Sequence, residues 1–259
     1  MGKSYDRSRE LREFVSEHER LAPLLAKITK SDGSLCWQVG SHVQANEVAP
    51  LDFIAHGIFS QLDHFTLRNR IIWHFGHGAH AGRRFSGRYE TVLWYSHGEN
   101  YVFNLDPVRI PQKYPGKRHY KGARRGQFSG NPGGKNPTDV WEIPNVKANH
   151  VEKTAHPCQF PVALAERLVL ALTNPGDLVL DPFVGSGSTA VAALKHGRRF
   201  IGAELVPEYC RVTRERLAHL QSGKLRTRPL NQPVWEPRPG DAVAQRPSHF
   251  LFNTVDADA

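Results

Sequence analysis

Cysteine is scarce: Cys36, Cys158 and Cys210 are the only three in 259 residues, and no two form a C-x-x-C pair. This argues against a disulfide framework or a cysteine zinc site, as expected of a chain kept in a reducing compartment. No run of eighteen apolar residues occurs, and the start, Met1-Gly2-Lys3-Ser4-Tyr5-Asp6-Arg7, lacks the apolar stretch of a secretory signal. The expectation is a soluble, cytoplasmic protein with no membrane partner. Repeats and low-complexity tracts are also missing.

What is present is positive charge and enough apolar material for one core. Hydrophobic residues make up 39% of the chain, which suffices for one substantial domain with appendages. Thirty-four Lys and Arg against 25 Asp and Glu give a formal charge of +9, which favours polyanionic partners without naming one.

Residues 5–30 read as a helix, because Leu11, Phe14, Val15, His18, Leu21, Leu24 and Leu25 recur near helical spacing before Ser31-Asp32-Gly33 breaks the pattern. Ser34 to Gly40 is rich in strand formers, and Leu51 to Leu62 suggests a second helix. Arg70 to Phe75 and Glu90 to Tyr95 are further strands, separated by a glycine-rich loop from Gly76 to Gly87. From Asn104 to about Asn149 the chain is dense in Gly, Pro, Lys and Arg and has little periodicity; so long a stretch in a compact domain points to a functional insert.

Order returns with a helix from Phe160 to Thr173 that has proline near its first turn. Then come a strand at Leu178 to Leu180, a turn at Gly185-Ser186-Gly187, a helix from Ser188 to Lys195 capped by His196-Gly197, a strand from Arg199 to Leu205, and a helix from Glu208 to Leu220. This βαβα succession predicts a parallel sheet with right-handed crossovers. The tail beyond Gly223 is Pro-rich and irregular.

The strongest local chemistry lies in Asp181-Pro182-Phe183-Val184-Gly185-Ser186-Gly187-Ser188, followed by Glu204 at the end of the next strand. Glycines let a backbone approach a ligand, and a helix start presents free amides. Glu204 lies nineteen residues beyond Gly185, about where an acidic side chain accepts ribose hydroxyls in Rossmann-like folds. An adenosine-containing cofactor follows. The same turn also fits the loose dinucleotide pattern G-x-G-x-x-A, but the Asp181 carboxylate would repel a pyrophosphate and attract an ammonium. The bland alternative is an ordinary strand-to-helix turn with a capping serine.

Asp181-Pro182-Phe183 with Gly185-Ser186-Gly187-Ser188 resembles the D-P-F-x-G-S-G-[ST] motif of the DNA amino-methyltransferases that modify adenine N6 or cytosine N4. His156-Pro157-Cys158-Gln159-Phe160-Pro161 is similar to the H-P-x-Q-x-P element that precedes the glycine loop in the permuted subgroup of that family. Ile201-Gly202-Ala203-Glu204 and Tyr209 follow in matching order, and the likeness extends to Arg68–Trp73, Arg83–Glu90 and Asn136–Trp141.

The resemblance implies a Rossmann-like, mostly parallel sheet that binds S-adenosyl-L-methionine through His156, Gln159, Pro161, Asp181, Pro182, Phe183, Gly185, Ser186, Gly187, Ser188 and Glu204. It divides the chain into an N-terminal part of the methyltransferase domain (1–103), a target-recognition insert (104–150), a cofactor-binding part (151–222) and a tail (223–259). It also implies double-stranded DNA as partner and, in restriction-modification systems, a cognate restriction endonuclease.

Family members hold the exocyclic amine with an Asp- or Ser-Pro-Pro-Tyr-type motif whose ring stacks on the extruded base. No Pro-Pro dipeptide occurs here, and in the permuted subgroup the motif precedes a segment resembling Gly2-Lys3-Ser4-Tyr5. The catalytic motif is therefore expected upstream of Met1, and no catalytic residue is assigned within the chain. Asp106-Pro107 lacks the second proline and the aromatic residue and is rejected as a substitute. An RNA methyltransferase and an inactive cofactor- and DNA-binding remnant stay open as alternatives.

Between Asp106 and Gly126 stand seven basic residues, Arg109, Lys113, Lys117, Arg118, Lys121, Arg124 and Arg125, interleaved with Tyr114 and Tyr120 and followed by Phe128. Such a stretch suits phosphates and base edges, although a solvated loop has the same composition. Arg83, Arg84 and Arg88 form a second patch. His74, His77 and His80 recur every third residue but have no neighbouring carboxylate or thiol to complete a shell, so no metal is expected.

Overall fold

The computed structural model describes residues 11–245 apart from 45 and 79, together with residue 247. Its elements are α1 (Leu11–Ile28), β1 (Ser34–Val39), β2 (Ser41–Gln44), β3 (Glu47–Pro50), α2 (Leu51–Phe59), β4 (Phe65–His74), β5 (Tyr89–His97), β6 (Val140–Glu142), α3 (Val162–Leu172), β7 (Leu178–Asp181), α4 (Ser188–Lys195), β8 (Arg199–Gly202) and α5 (Pro207–Gln221). The start of the helix expected from residue 5 lies outside the described residues.

The expectation of a mostly parallel sheet is corrected. The larger sheet has the order β1-β5-β4-β6, in which β1 and β4 both pair antiparallel with β5 and only β6 is parallel to its neighbour. The βαβ unit β7-α4-β8 forms a separate parallel pair. The mixed character follows from connection: β4 and β5 are joined by a loop with no crossover helix, and such a link returns the chain antiparallel. The short β2-β3 hairpin was not foreseen; Asn46 takes the left-handed conformation (φ 68°) in its turn, which asparagine tolerates better than most residues.

Each face of the larger sheet carries helices. On one face Leu35, Trp37, Val39, Leu93 and Tyr95 pack against Ala22 and Leu25 of α1 and Ala55 and Phe59 of α2. On the other, Ile71, Trp73, Val92 and Trp94 meet Ala163, Leu164, Ala171 and Leu172 of α3. Helix α3 buries nine of its eleven residues, so it acts as an interior helix rather than a surface one. Its opposite side, Val162, Ala165 and Val169, packs on Val191 and Ala192 of α4, and that contact joins the βαβ unit to the rest. Each such Val or Leu stabilises the fold by about 1.5–3 kcal/mol.

Two buried charges on α3 are partly compensated. Glu166 accepts Lys195 Nζ at 2.8 Å and pairs with His196 Nε2 at 2.6 Å, while Arg167 lies over the Trp141 ring at 4.9 Å and donates to Asn231 at 2.8 Å. Residues 104–150 are mostly irregular but end in core structure: β6 pairs with β4, Trp141 and Ile143 are buried, and Trp73 Nε1 donates to the Ile143 carbonyl at 2.7 Å. In the tail, Leu225 and Leu230 pack against core clusters. Among the described residues, no helix is long and apolar enough to cross a membrane.

Candidate cofactor cradle and nucleic-acid interface

Strand β7 delivers Asp181 to its C-terminal end, and the chain turns through Pro182 to Gly187 before α4 starts. Gly185 and Gly187 adopt positive φ values of 54° and 78°, which side chains rarely tolerate. A Cβ on Gly185 would lie 3.1 Å from His156 Nε2, and one on Gly187 would meet Thr213 Cγ2 at 2.7 Å. The glycines are thus required both by the turn and by close neighbours on either side.

Glu204, past the end of β8, closes this turn. Its Oε2 accepts the Gly185 amide and its Oε1 the Val206 amide, each at 2.8 Å. A carboxylate offers about four lone-pair directions, so two remain for a ligand. Asp181 Oδ1 accepts the Phe183 amide at 2.9 Å, which holds the Phe183 ring, 63% exposed, out at the rim.

The sequence element from His156 to Pro161 lies against the same loop. His156 meets the Tyr209 ring edge-on at 4.4 Å, and its ring approaches Gly185. Gln159 is buried: its amide donates to the Glu152 carbonyl at 2.7 Å, and its oxygen accepts the Thr154 amide and hydroxyl. Pro161 is fully buried at the start of α3. Ser186 and Ser188 are buried as well, and the Ser188 hydroxyl donates to the Phe160 carbonyl at 2.8 Å. Asp181, Pro182, Phe183, Gly185, Glu204 and His156 therefore come together at the loop, Ser186 and Ser188 are buried within it and at the start of α4, and Gln159 and Pro161 are turned into the interior, toward Glu152 and the start of α3.

Sequence reading missed three further residues at this loop. The Thr213 hydroxyl donates to the Gly185 carbonyl at 3.0 Å, and buried Arg216 donates through Nη1 to the Ser186 carbonyl at 2.6 Å. Buried Glu152 accepts the Val162 amide at 2.8 Å and the Arg228 amide at 3.0 Å, with Arg216 Nη2 at 3.8 Å. The available signal was the helical stripe Tyr209, Thr213, Arg216, whose i, i+4, i+7 spacing puts polar groups on one face of α5.

A groove of about 710 Å³ opens beside Asp181, Pro182 and Phe183. It lies between two sheet edges, Leu35 to Gln38 of β1 and Leu178 to Asp181 of β7, and is also lined by Leu164, Leu168 and Leu172 of α3 and by Leu25 and Ile28 of α1. Among the described residues β1 pairs only with β5 and β7 only with β8, so each strand has an unpaired edge. Residues 102–104 link the starts of the two strands, with the Val102 amide donating to the Asp32 carbonyl and Asn104 to the Ala171 and Thr173 carbonyls, while Trp37, late in β1, meets Phe183, just past β7, at 5.9 Å; the two strands therefore run the same way. Leu178, Leu180 and Ile201 are 50%, 42% and 53% exposed, an unusual state for apolar residues of a parallel pair.

The basic residues divide by what they already hold. Arg109 is engaged with Asp106 Oδ1 at 2.7 Å and the Gly134 carbonyl at 3.1 Å, and Arg118 lies over the Phe128 ring at 4.0 Å while donating to the Gly126 carbonyl. Lys113, Lys117, Lys121, Arg124 and Arg125 are exposed. Bridges between Ile110 and Lys135 and between Arg118 and Phe128 make the segment an antiparallel finger, with Tyr120, 90% exposed, beyond the second bridge at its tip. Arg83 and Arg84 are exposed on the loop between β4 and β5, and Arg88 donates to the Gly87 carbonyl at 2.9 Å. Among the described residues no three His, Cys, Asp or Glu side chains gather as a metal site.

Comparison with known proteins fits this geometry. Relatives include the type II methyltransferase M.BglII of Bacillus subtilis, 46% identical over 202 residues that cover 78% of this chain and 56% of that protein. The type II methyltransferase M.ScaI of Streptomyces caespitosus is 35% identical over 225 residues, covering 84% of this chain and 71% of that protein. The chain thus spans little more than half the length of M.BglII. Among solved structures, the fold matches the cytosine-N4-specific PvuII DNA methyltransferase with a TM-score of 0.62 at 20% identity, over 88% of this chain and 84% of that one. A Thermus thermophilus chain described as a DNA modification methylase, complexed with S-adenosyl-L-methionine, matches with a TM-score of 0.57 at 28% identity, over 81% of this chain and 78% of that one. A family model described as DNA methylase matches residues 1–215, and with that much of the sequence covered, the chain belongs to the N6/N4 DNA methylase family.

Proposed function

We propose that the protein binds S-adenosyl-L-methionine in the glycine-loop cradle and serves transfer of a methyl group to an exocyclic amine of a DNA base, cytosine N4 or adenine N6. The observation that carries this reading is the latch from Glu204 to Gly185 at 2.8 Å beside Asp181, which places two carboxylates around a loop of positive-φ glycines. That donor set fits an adenosine bearing a cationic amino-acid arm: Asp181 suits the ammonium, the free lone pairs of Glu204 suit ribose hydroxyls, and the Phe183 ring offers an apolar face. The bound cofactor supplies a methyl group on a cationic sulfur that leaves as a neutral thioether, so the protein needs no general acid.

The chain's own residues then have positioning work. The exposed lysines and arginines of the finger, with Arg83 and Arg84, suit DNA phosphates, and a base must leave the stack before its amine can reach the cradle. In a restriction-modification setting the matching partner is a cognate restriction endonuclease acting on the same site.

We further infer that the groove between β1 and β7 takes one parallel strand. Such a strand would pair with both free edges and join the two sheets into one, mostly parallel at its centre. Its C-terminal end would fall beside Trp37 and Phe183, close to the first half of α1, where Phe14 lies against His18 and His18 meets Trp37 edge-on. A connection from such a strand through α1 to β1 would be a parallel crossover, the kind that is right-handed in nearly all folds, and an Asp- or Ser-Pro-Pro-Tyr-type motif following that strand would lie next to the cradle.

The test is methyl transfer from labelled S-adenosyl-L-methionine to unmethylated DNA, comparing this chain with one extended upstream through in-frame Pro-Pro-Tyr codons. Transfer by the extended chain alone is the expected result. Transfer by neither, despite cofactor binding, would favour an inactive remnant or an RNA substrate.

A further inference from the structure

The buried Arg216 stands out as a charge whose hydrogen bonds go to the glycine loop. A guanidinium that is 5% exposed has lost most of its hydration, and here its Nη2 finds no hydrogen-bond partner, with Glu152 Oε2 only at 3.8 Å. Such groups often contribute little to stability, because desolvation offsets the attraction. Its well-made bond goes instead to the Ser186 carbonyl, at 2.6 Å, with the Ser186 and Ser188 hydroxyls at 3.4 and 3.3 Å. Three residues earlier on the same face of α5, Thr213 holds the Gly185 carbonyl at 3.0 Å.

Two successive carbonyls of the loop are therefore drawn toward α5. In a trans peptide the carbonyl and the following N–H point in opposite directions, so each tie fixes the plane of a whole peptide unit. The Gly187 amide, turned back this way, closes on the Val184 carbonyl at 2.8 Å, and the Ser186 amide is turned away from α5. Glu204 fixes the preceding unit through the Gly185 amide. Glycines alone permit this conformation, but they permit many others equally well.

We propose that Thr213 and Arg216 are positioning residues for the cofactor: from α5 they set the peptide planes of Gly185 and Ser186, and so hold the loop in the one shape that binds an adenosine-bearing ligand. This rests on the assignment of the loop as the S-adenosyl-L-methionine cradle. Glu152 supports the device by holding the start of α3 and the Arg228 amide around the guanidinium.

The test is calorimetric binding of S-adenosyl-L-methionine to the 259-residue chain and to T213V, T213S and R216K, with binding to a DNA fragment and the urea midpoint measured alongside. T213V keeps the shape and loses the hydroxyl, and should weaken cofactor binding about tenfold, the effect of one lost hydrogen bond of ordinary strength. T213S restores the hydroxyl and should bind within about twofold of the parent, since its bond is retained. R216K keeps the charge without the planar fork and should weaken cofactor binding while leaving DNA binding unchanged. Parent-like cofactor binding by T213V or R216K would overturn the assignment for that residue, as would a loss in T213S equal to that in T213V. Failure of the parent chain to bind the cofactor would instead overturn the cradle assignment.

Discussion

Glu204 and Gly185, nineteen residues apart, meet at 2.8 Å, carboxylate to backbone amide, so the acidic residue expected to face a ribose also fastens the loop that would carry the cofactor. The second oxygen is bound in the same way by Val206. One side chain thus couples the ends of β7 and β8, whose backbones are already paired from Leu178 and Arg199 onward.

E204Q tests this coupling. An amide presents one oxygen where the carboxylate presented two, so one of the two backbone donors meets an N–H. The variant should lose about 1–3 kcal/mol of stability and bind S-adenosyl-L-methionine at least about tenfold more weakly. Urea denaturation and calorimetry measure the two effects.

G187A should be the more damaging of the two loop-glycine variants. At both positions a side chain is strained by positive φ, at a cost of about 1–3 kcal/mol. At Gly187 the new methyl also comes within 2.7 Å of Thr213, whereas at Gly185 it meets the His156 ring at 3.1 Å. Comparison of urea midpoints for G185A and G187A checks the order.

Replacing Lys117, Lys121, Arg124 and Arg125 with glutamine removes four exposed charges from the finger. If these residues bind phosphates, the slope of log affinity against log salt should fall by up to about 3.6, roughly 0.9 for each duplex phosphate that is no longer neutralised. Cofactor binding should not change. A salt slope equal to that of the parent would assign the finger to solvent.

His18 gives a pH dependence. Burial between Phe14 and Trp37 holds its imidazole below the ordinary value of 6.5, partly opposed by its hydrogen bond to the Phe14 carbonyl and by the nearby Glu17. The unfolded chain then binds the proton more readily than the folded one. The stability that His18 contributes is present above about pH 6.5 and is lost as pH falls through the lower, folded value. Denaturation midpoints from about pH 7.5 to about pH 5 should decline, and H18Q should flatten that part of the profile.

Glu90 has the opposite sign. Burial raises its carboxyl above 4.5, against the effect of the Gln38 amide that donates to it. Its contribution is present below about pH 4.5 and is lost as pH rises through the folded value. E90Q keeps the shape without the buried charge, and should raise the denaturation midpoint at about pH 7 relative to the parent while leaving it unchanged at about pH 4.

The sequence by itself determined the succession β7-α4-β8-α5. Ser188–Lys195 was legible to the residue, because a glycine turn, an alanine-rich helix and a His-Gly stop are all signals carried within about ten residues of chain. The cradle motif and the basic composition of the finger were legible for the same reason. Strand β6 was not, since three residues cannot display a period, and Trp141 is placed by tertiary contacts, its pairing with β4 among them. The antiparallel turn-back of β5 on β4 follows from the loop that joins them, but the pairing of β1 with β5 was hidden, because it brings Ser34–Val39 against Thr91–Ser96 from a distant part of the chain. Arg216 and Glu152 look like ordinary surface charges in the sequence. Only packing removes them from water and sets them under the loop, where desolvation makes the geometry of each remaining hydrogen bond count.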